Sequence, residues 1–241
     1  MMPYKRVIPI VLIDNDRAVK TSQFRNPVYI GDPVNICKIF SDKEVDELCV
    51  LNINQVRNIT GPNFEIIKKI SYETFVPITY GGGISRLEHF EQLFKIGVEK
   101  VVVNTLFWTN PSLIKKAIEI FGSQSIVLSL DFHLKRNKFY QPKKLAVKMS
   151  RTANQFIPFD SSKIINRLNS LEFGEIMLTD VSREGMYTGV NLDLLKAFKS
   201  LKCPLIINGG LSSTDEIERI LSDQDLGCGG GRIIIHIFTK T

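Results

Sequence analysis

Two glycine clusters, one strand-end carboxylate and four strand-initial charges are the features of this chain best placed to do chemistry. Tyr80-Gly81-Gly82-Gly83-Ile84 and Asn208-Gly209-Gly210-Leu211-Ser212 each follow a short apolar run. Glycine there exposes backbone N–H groups with no side chain in the way. That suits a phosphate oxygen, and it equally suits a tight turn needing positive φ. Asn104-Thr105 ends the run VVVN, and Gly229-Gly230-Gly231 precedes the last apolar run. Two glycine-lined sites, each beside another polar strand end, fit a substrate phosphorylated at both ends. Asp131 closes the run Ile126–Leu130. A carboxylate at the rim of an apolar barrel is placed to act as general acid or base; a cap or loop carboxylate is the plainer alternative. Lys20, in the loop expected after the first run, can meet an anionic substrate or remain solvated. Arg6, Glu47, Lys100 and Glu175 each sit immediately before an apolar run. Their balanced signs fit a mutually paired ring, because isolated buried charges are costly. Four solvated residues at strand starts fit as well. His89, His133 and His236 are scattered without ligand spacing, so no metal and no cofactor is expected.

The elements that must carry these residues alternate. Val7–Ile13, Leu48–Ile53, Phe75–Tyr80, Val101–Asn104, Ile126–Asp131, Ile176–Thr179 and Pro204–Asn208 read as seven short strands, and Ile233–Phe238 as an eighth. They are almost continuously apolar, as parallel strands covered on both faces are. Helical patterns lie between most of them: Pro33–Phe40, Asn63–Ile70, Leu87–Ile96, Pro111–Phe121, Ser161–Leu168, Asn191–Phe198 and Ser213–Leu221. Asp32, Asn110 and Ser213 or Thr214 stand as capping residues. Eight β/α units in 241 residues point to one closed (β/α)8 TIM barrel of α/β class, a single domain over residues 1–241. Gly82 and Gly209 lie 127 positions apart, about half the chain. The barrel therefore reads as two similar half-barrels, about 1–122 and about 123–241.

Composition narrows the class further. With 31 basic and 25 acidic residues the net charge is +6, spread along the chain without a nucleic-acid motif, so no nucleic-acid partner is expected. No apolar run approaches the roughly 20 residues of a membrane span. Met1–Arg6 lacks a secretory layout. Cys37, Cys49, Cys203 and Cys228 form no C-x-x-C pair and lie in or beside apolar stretches, as buried thiols of a cytoplasmic protein would.

Taken together, these residues resemble the cyclase subunit of imidazole glycerol phosphate synthase. The resemblance runs from Tyr4 to about Leu221, through Arg6–Pro9 with Lys20, Gly31-Asp32-Pro33, Asp46-Glu47-Leu48, the glycine loop at 81–84, Asn104-Thr105, Asn110–Leu113, Phe121–Gln124, Gly174-Glu175-Ile176 and Gly209-Gly210. It implies a (β/α)8 barrel that takes ammonia from a glutaminase subunit docked on its N-terminal face. It makes Arg6, Glu47, Lys100 and Glu175 a charged gate. It places one phosphate at Gly83, Asn104 and Thr105 and the other at Gly185, Gly210 and Gly231, with Lys20, Gly82, Thr179 and Gly209 among the substrate-binding positions. One of the family's two catalytic aspartates matches Asp131.

The departures are informative. Leu12 stands where the second catalytic aspartate is expected, and leucine transfers no proton. Asn52 replaces the aspartate ending the second strand, and Glu184 holds the acidic position near the second phosphate loop. This counts against a two-carboxylate cyclisation. The pattern is similar to the cyclase-like proteins associated with glycosyl amidation in surface-polysaccharide clusters. That branch implies a barrel relaying ammonia from a glutaminase-like subunit to a sugar amidotransferase that turns an acetamido into an acetamidino group. The alternatives are a working cyclase in histidine biosynthesis, which yields imidazole glycerol phosphate, and a pure partner-docking module. Residues 222–232 read SDQDLGCGGGR and Phe238 is followed by three residues, so the final helix of the barrel is expected to be missing, and Arg232 stands where a small hydroxyl residue is expected.

Overall fold

A computed structural model describes residues 6–54, 61–135, 144–148, 156–158, 161–198, 200, 201, 203–222 and 233–237. Eight parallel strands form the frame: β1 (Arg6–Asp14), β4 (Leu48–Asn52), β5 (Ile78–Gly81), β6 (Lys100–Val103), β7 (Ile126–Lys135), β10 (Glu175–Asp180), β11 (Leu205–Asn208) and β12 (Ile233–Ile237). They pair in the order β1-β4-β5-β6-β7-β10-β11-β12, and β12 pairs back onto β1, so the sheet closes on itself. This is the TIM barrel read from the alternation of apolar and amphipathic runs.

Closure follows from two-sided burial. Val11, Ile13, Val50, Tyr80, Val101, Leu128 and Leu178 face outward into one large apolar cluster with the helices. Their neighbours Ile8, Ile10, Leu12, Cys49, Val102, Val127, Met177 and Ile206, joined by Val19, form a second, separate cluster inside the barrel. Alternation along each strand sends successive side chains to opposite faces. The outer layer is α1 (Pro33–Asp42), α2 (Phe64–Glu73), α3 (Leu87–Ile96), α4 (Thr105–Thr109), α5 (Pro111–Phe121), α6 (Ser161–Asn169), α7 (Leu192–Ala197) and α8 (Thr214–Ser222). The expected caps hold: Asp32 accepts from the Asn35 N–H at 2.9 Å, Asn110 from Leu113 at 3.2 Å, and Ser213 from Glu216 at 3.2 Å. Cys37 and Cys49 are buried, whereas Cys203 is half-buried because it lies in the loop before β11.

One expectation is corrected. Lys20 is not in a loop. It lies on β2 (Arg17–Ser22), which pairs antiparallel with β1 and with β3 (Arg25–Gly31). Two-residue turns make this possible. Asn15 and Asp16, then Gln23 and Phe24, all have φ between 48° and 61°, the left-handed pair that matches strand twist in a hairpin. A second antiparallel excursion, β8 (Lys144–Lys148) and β9 (Phe156–Pro158), pairs onto β7. Each half-barrel thus opens with a strand, a hairpin and a helix. Residues 223–232 and 238–241, with Gly231, Arg232, Cys228 and the expected absence of a final helix, lie outside the described residues.

Candidate functional site

The N-terminal end of the barrel holds the four charges, and they meet. Arg6 opens β1, Glu47 precedes β4, Lys100 opens β6 and Glu175 opens β10. Arg6 Nη1 lies 2.5 Å from Glu47 Oε2, and Nη2 pairs with Glu175. Lys100 Nζ lies 2.7 Å from Glu47 Oε2 and 3.1 Å from Glu175 Oε1. Each carboxylate therefore binds both cations, and the four side chains close a neutral ring across the barrel end. The Thr79 hydroxyl, from β5, donates to Glu47 Oε1 at 2.5 Å. Glu47 is 2% exposed and Glu175 5%, so their charges are tolerable only because they are paired.

Above the ring the lumen is apolar, lined by the cluster around Ile8, Ile10, Val102, Val127 and Ile206. Cys49 lies in it. Burial first, then the Glu47 carboxylate, pushes its thiol well above the ordinary value, so it is an inert thiol rather than a nucleophile.

The C-terminal end is lopsided. Asp131, 2% exposed, accepts from Asn104 Nδ2 at 3.0 Å. Thr179 pairs with Asp131 in register, and its Oγ1 accepts from Asn208 Nδ2 at 3.2 Å. Ser129 is buried one step below. The opposite wall carries Leu12, Leu51 and Val19. Asp14, two residues past Leu12 and on the same face of β1, pairs in register with Arg17 at the hairpin and lines a cleft of about 410 Å³ with Asn15, Val19, Pro27 and Tyr29.

The two halves superimpose in their hydrogen bonding. Asn52 Oδ1 accepts from the N–H two residues on, at 3.1 Å, and Asp180 Oδ1 does the same at 3.0 Å. A Cβ on Gly82 would lie 2.3 Å from the Asn52 carbonyl oxygen, and one on Gly209 2.5 Å from that of Asp180, both at positive φ. Gly83 packs likewise on the Gly61 carbonyl, and Gly210 on that of Gly189. Asn63 and Asn191 follow those glycines and cap α2 and α7. The pairing Asn52 with Asp180 fixes Leu12 as the counterpart of Asp131: Ile13 pairs with Asn52, and Phe132 with Asp180.

Across residues 6–237 the chain matches the family described as histidine biosynthesis protein. The chain belongs to that family. It is 34% identical over 232 residues to a Vibrio vulnificus protein named "Putative imidazole glycerol phosphate synthase subunit hisF3", covering 95% of this chain and 87% of the relative. It is 37% identical over 217 residues to the Pseudomonas aeruginosa protein named "Putative imidazole glycerol phosphate synthase subunit hisF2", covering 90% and 84%. To the Leptospira biflexa "Imidazole glycerol phosphate synthase subunit HisF" it is 32% identical over 220 residues, again covering 90% and 84%.

In this histidine biosynthesis family barrel the remaining sequence-derived positions separate. Thr105 opens α4, exposed, next to Asn104. Lys20 is half-buried on β2, opposite Val28. Gly185 sits where a Cβ would lie 2.3 Å from the Thr21 carbonyl oxygen, so it lets the β2–β3 hairpin close on the loop after β10. Glu184, 1% exposed, holds that hairpin by accepting from Thr21 Oγ1 at 2.7 Å and from the Phe24 N–H at 2.8 Å. Sequence reading missed Thr79, Ser129 and Asn208. The first two lie two and two residues before Gly81 and Asp131, so strand alternation places them on the lumen face; Asn208 closes β11.

Two counterparts differ in charge. His89 accepts from Arg86 Nε at 2.9 Å and faces Gly61; Glu216 accepts from the Val190 N–H at 2.8 Å and the Ser212 N–H at 2.9 Å, and faces Gly189. Burial and then the Arg86 guanidinium hold His89 below its ordinary 6.5. For Glu216, burial works upward, but the Val190 and Ser212 bonds and Arg219 outweigh it, and its carboxyl sits below 4.5. Among the described residues no group of three or more potential metal ligands occurs, and no helix is long and apolar enough to cross a membrane.

Proposed function

We propose that this chain is the synthase-side barrel of a glutamine amidotransferase system of the glycosyl amidation type. It takes ammonia from a glutaminase partner at the N-terminal end and passes it to a sugar amidotransferase at the other. The observation that carries the reading is the closed ring of Arg6, Glu47, Lys100 and Glu175 beneath an apolar lumen whose upper end sets the Asp131 carboxylate opposite Leu12. Ammonia is neutral when deprotonated and crosses such a lumen without the desolvation cost of an ion. The ring acts as the gate: it excludes water and cations until a partner rearranges it.

Apolar exposure at both ends supports two partners. At the N-terminal end, Phe75, in the loop before β5, is 92% exposed, and Tyr72, in the last turn of α2, is 83% exposed. At the C-terminal end, Val28 and Tyr29 of β3 are 62% and 61% exposed, beside Met186 and Tyr187. Large aromatics left in water mark docking surfaces. The glycine loops with Asn104, Thr105, Thr179 and Lys20 hold a phosphorylated ligand in this reading. A second reading, with which the names of the relatives are equally compatible, is the cyclase of histidine biosynthesis, which needs proton transfer on both sides of the substrate.

An ammonia-driven cyclase assay on the purified chain separates them. The proposal expects no turnover of the phosphoribosyl-formimino intermediate; robust wild-type turnover overturns it. Phe75→Ser tests the docking face: capture of a glutaminase-like partner is expected to weaken about tenfold or more, as for truncation of an aromatic anchor, and unchanged capture removes that face from the account.

A further inference from the structure

Asn104 presents a buried acceptor that no group among the described residues uses. Its Nδ2 donates to Asp131 Oδ2 at 3.0 Å, which fixes the amide, since a carboxylate only accepts. Its Oδ1 is thereby turned away from Asp131, and it is buried without a hydrogen-bond partner. Leaving such an acceptor dry is costly, so a ligand with N–H or O–H groups is called for. The position selects among ligands. Asn104 follows the last residue of β6, one alternation above Val102 of the lumen cluster, and Asp131 stands two alternations above Val127 of the same cluster. The acceptor therefore lies at the exit of the apolar lumen, beside the Asp131 carboxylate, and across from the apolar side chains of Leu12 and Leu51.

We infer that Asn104 Oδ1 and the Asp131 carboxylate form a holding site for ammonia or its conjugate acid at the lumen exit. An N–H donates to Asn104 Oδ1, and the Asp131 charge balances the protonated form. The nitrogen waits against the β6–β7 wall, facing the apolar side chains of Leu12 and Leu51. The site rests on the conduit reading for its purpose, not for its existence, because free ammonium in solution reaches the same exit without a glutaminase.

The test uses the full chain with 15N-labelled ammonium chloride and proton–nitrogen correlation spectra at mildly acidic pH. A signal from shielded, protein-bound ammonium is expected in the wild type. It is expected to be lost in Asp131→Asn and in Asn104→Ala, with the backbone amide spectrum of each variant otherwise retained as proof of folding. No bound signal in the wild type overturns the site, and so does a signal that survives both substitutions. Glutamine-coupled transfer that persists without the signal would leave the conduit standing and remove only the holding site. Bound ammonium without coupled transfer would do the reverse.

Discussion

The two half-barrels share their backbone clamps and differ in what they show to the lumen. Asn52 and Asp180, Gly82 and Gly209, Asn63 and Asn191 do the same work at equivalent places. Even the glutamates of the ring, Glu47 and Glu175, are counterparts, each standing at the start of the second strand of its half. At the upper lumen the likeness stops. Leu12, Leu51 and Gly81 of the first half face Asp131, Thr179 and Asn208 of the second. Positions that hold the chain in place are doubled; positions that would touch a passing or bound molecule are not. A two-carboxylate mouth needs both halves to agree at the end of their first strand, and here they do not.

The largest effect is expected at the doubled glutamates. Glu47→Ala leaves Arg6 and Lys100 sharing Glu175 alone, and Glu175→Ala leaves them sharing Glu47. Removing one partner of a buried ion-pair network costs about 3–5 kcal/mol, read from urea denaturation. Glu47→Ala is expected to cost the more, because Thr79 also loses its acceptor. Losses below about 1 kcal/mol in both would mean that the ring is solvated. Next comes Leu12→Asp, which makes the halves alike. Burying a carboxyl against Val19 and Leu51 costs about 2–4 kcal/mol at pH 8. The apolar wall raises the folded-state pKa of the introduced group, so the loss shrinks as the pH falls and the group protonates.

Acid separates the halves without mutation. His89 titrates below 6.5 when folded, so its contribution is complete above that value and is lost as the pH falls through the folded pKa. Glu216 also titrates low, so its contribution is complete above 4.5 and is lost only below that. Hydrogen exchange from pH 8 to 5 is therefore expected to unprotect α3 before α8; the opposite order would break the assignment. The smallest effect is at the doubled caps. Asn63→Ala is expected to cost about 1 kcal/mol. Asn191→Ala should cost somewhat more, since Asn191 Nδ2 donates to the buried Asp180 carboxylate at 2.7 Å, whereas Asn63 Nδ2 donates to the exposed Asp16. Thermal unfolding of the two variants ranks them.

Much of this was legible in the sequence because the strands are continuous apolar runs and α1, α5 and α8 begin at capping residues. The 127-residue spacing of the glycine loops located the repeat, and charges placed just before strands located the ring. The hairpin β2–β3 was not read, because its strands are short and carry no continuous apolar run (RAVKTS and RNPVYIG), and its signal was only the Asn15-Asp16 turn. That moved Lys20 from a loop onto a strand. Glu184 was legible as an acidic position but not as the clamp on that hairpin, since its partners Thr21 and Phe24 lie 163 and 160 residues away. The orphan acceptor of Asn104 is invisible in sequence, because only the Asp131 contact orients the amide.

The central claim is passage of ammonia through the lumen, and isotope dilution tests it most directly. The chain, a glutaminase partner and a sugar amidotransferase are supplied with glutamine labelled at the amide nitrogen and with excess unlabelled ammonium. The account predicts product carrying the glutamine label in the wild type, and a loss of that label when Cys49→Trp fills the lumen above the ring. Product nitrogen that matches the bulk ammonium in the wild type, or a label unaffected by Cys49→Trp, would contradict it.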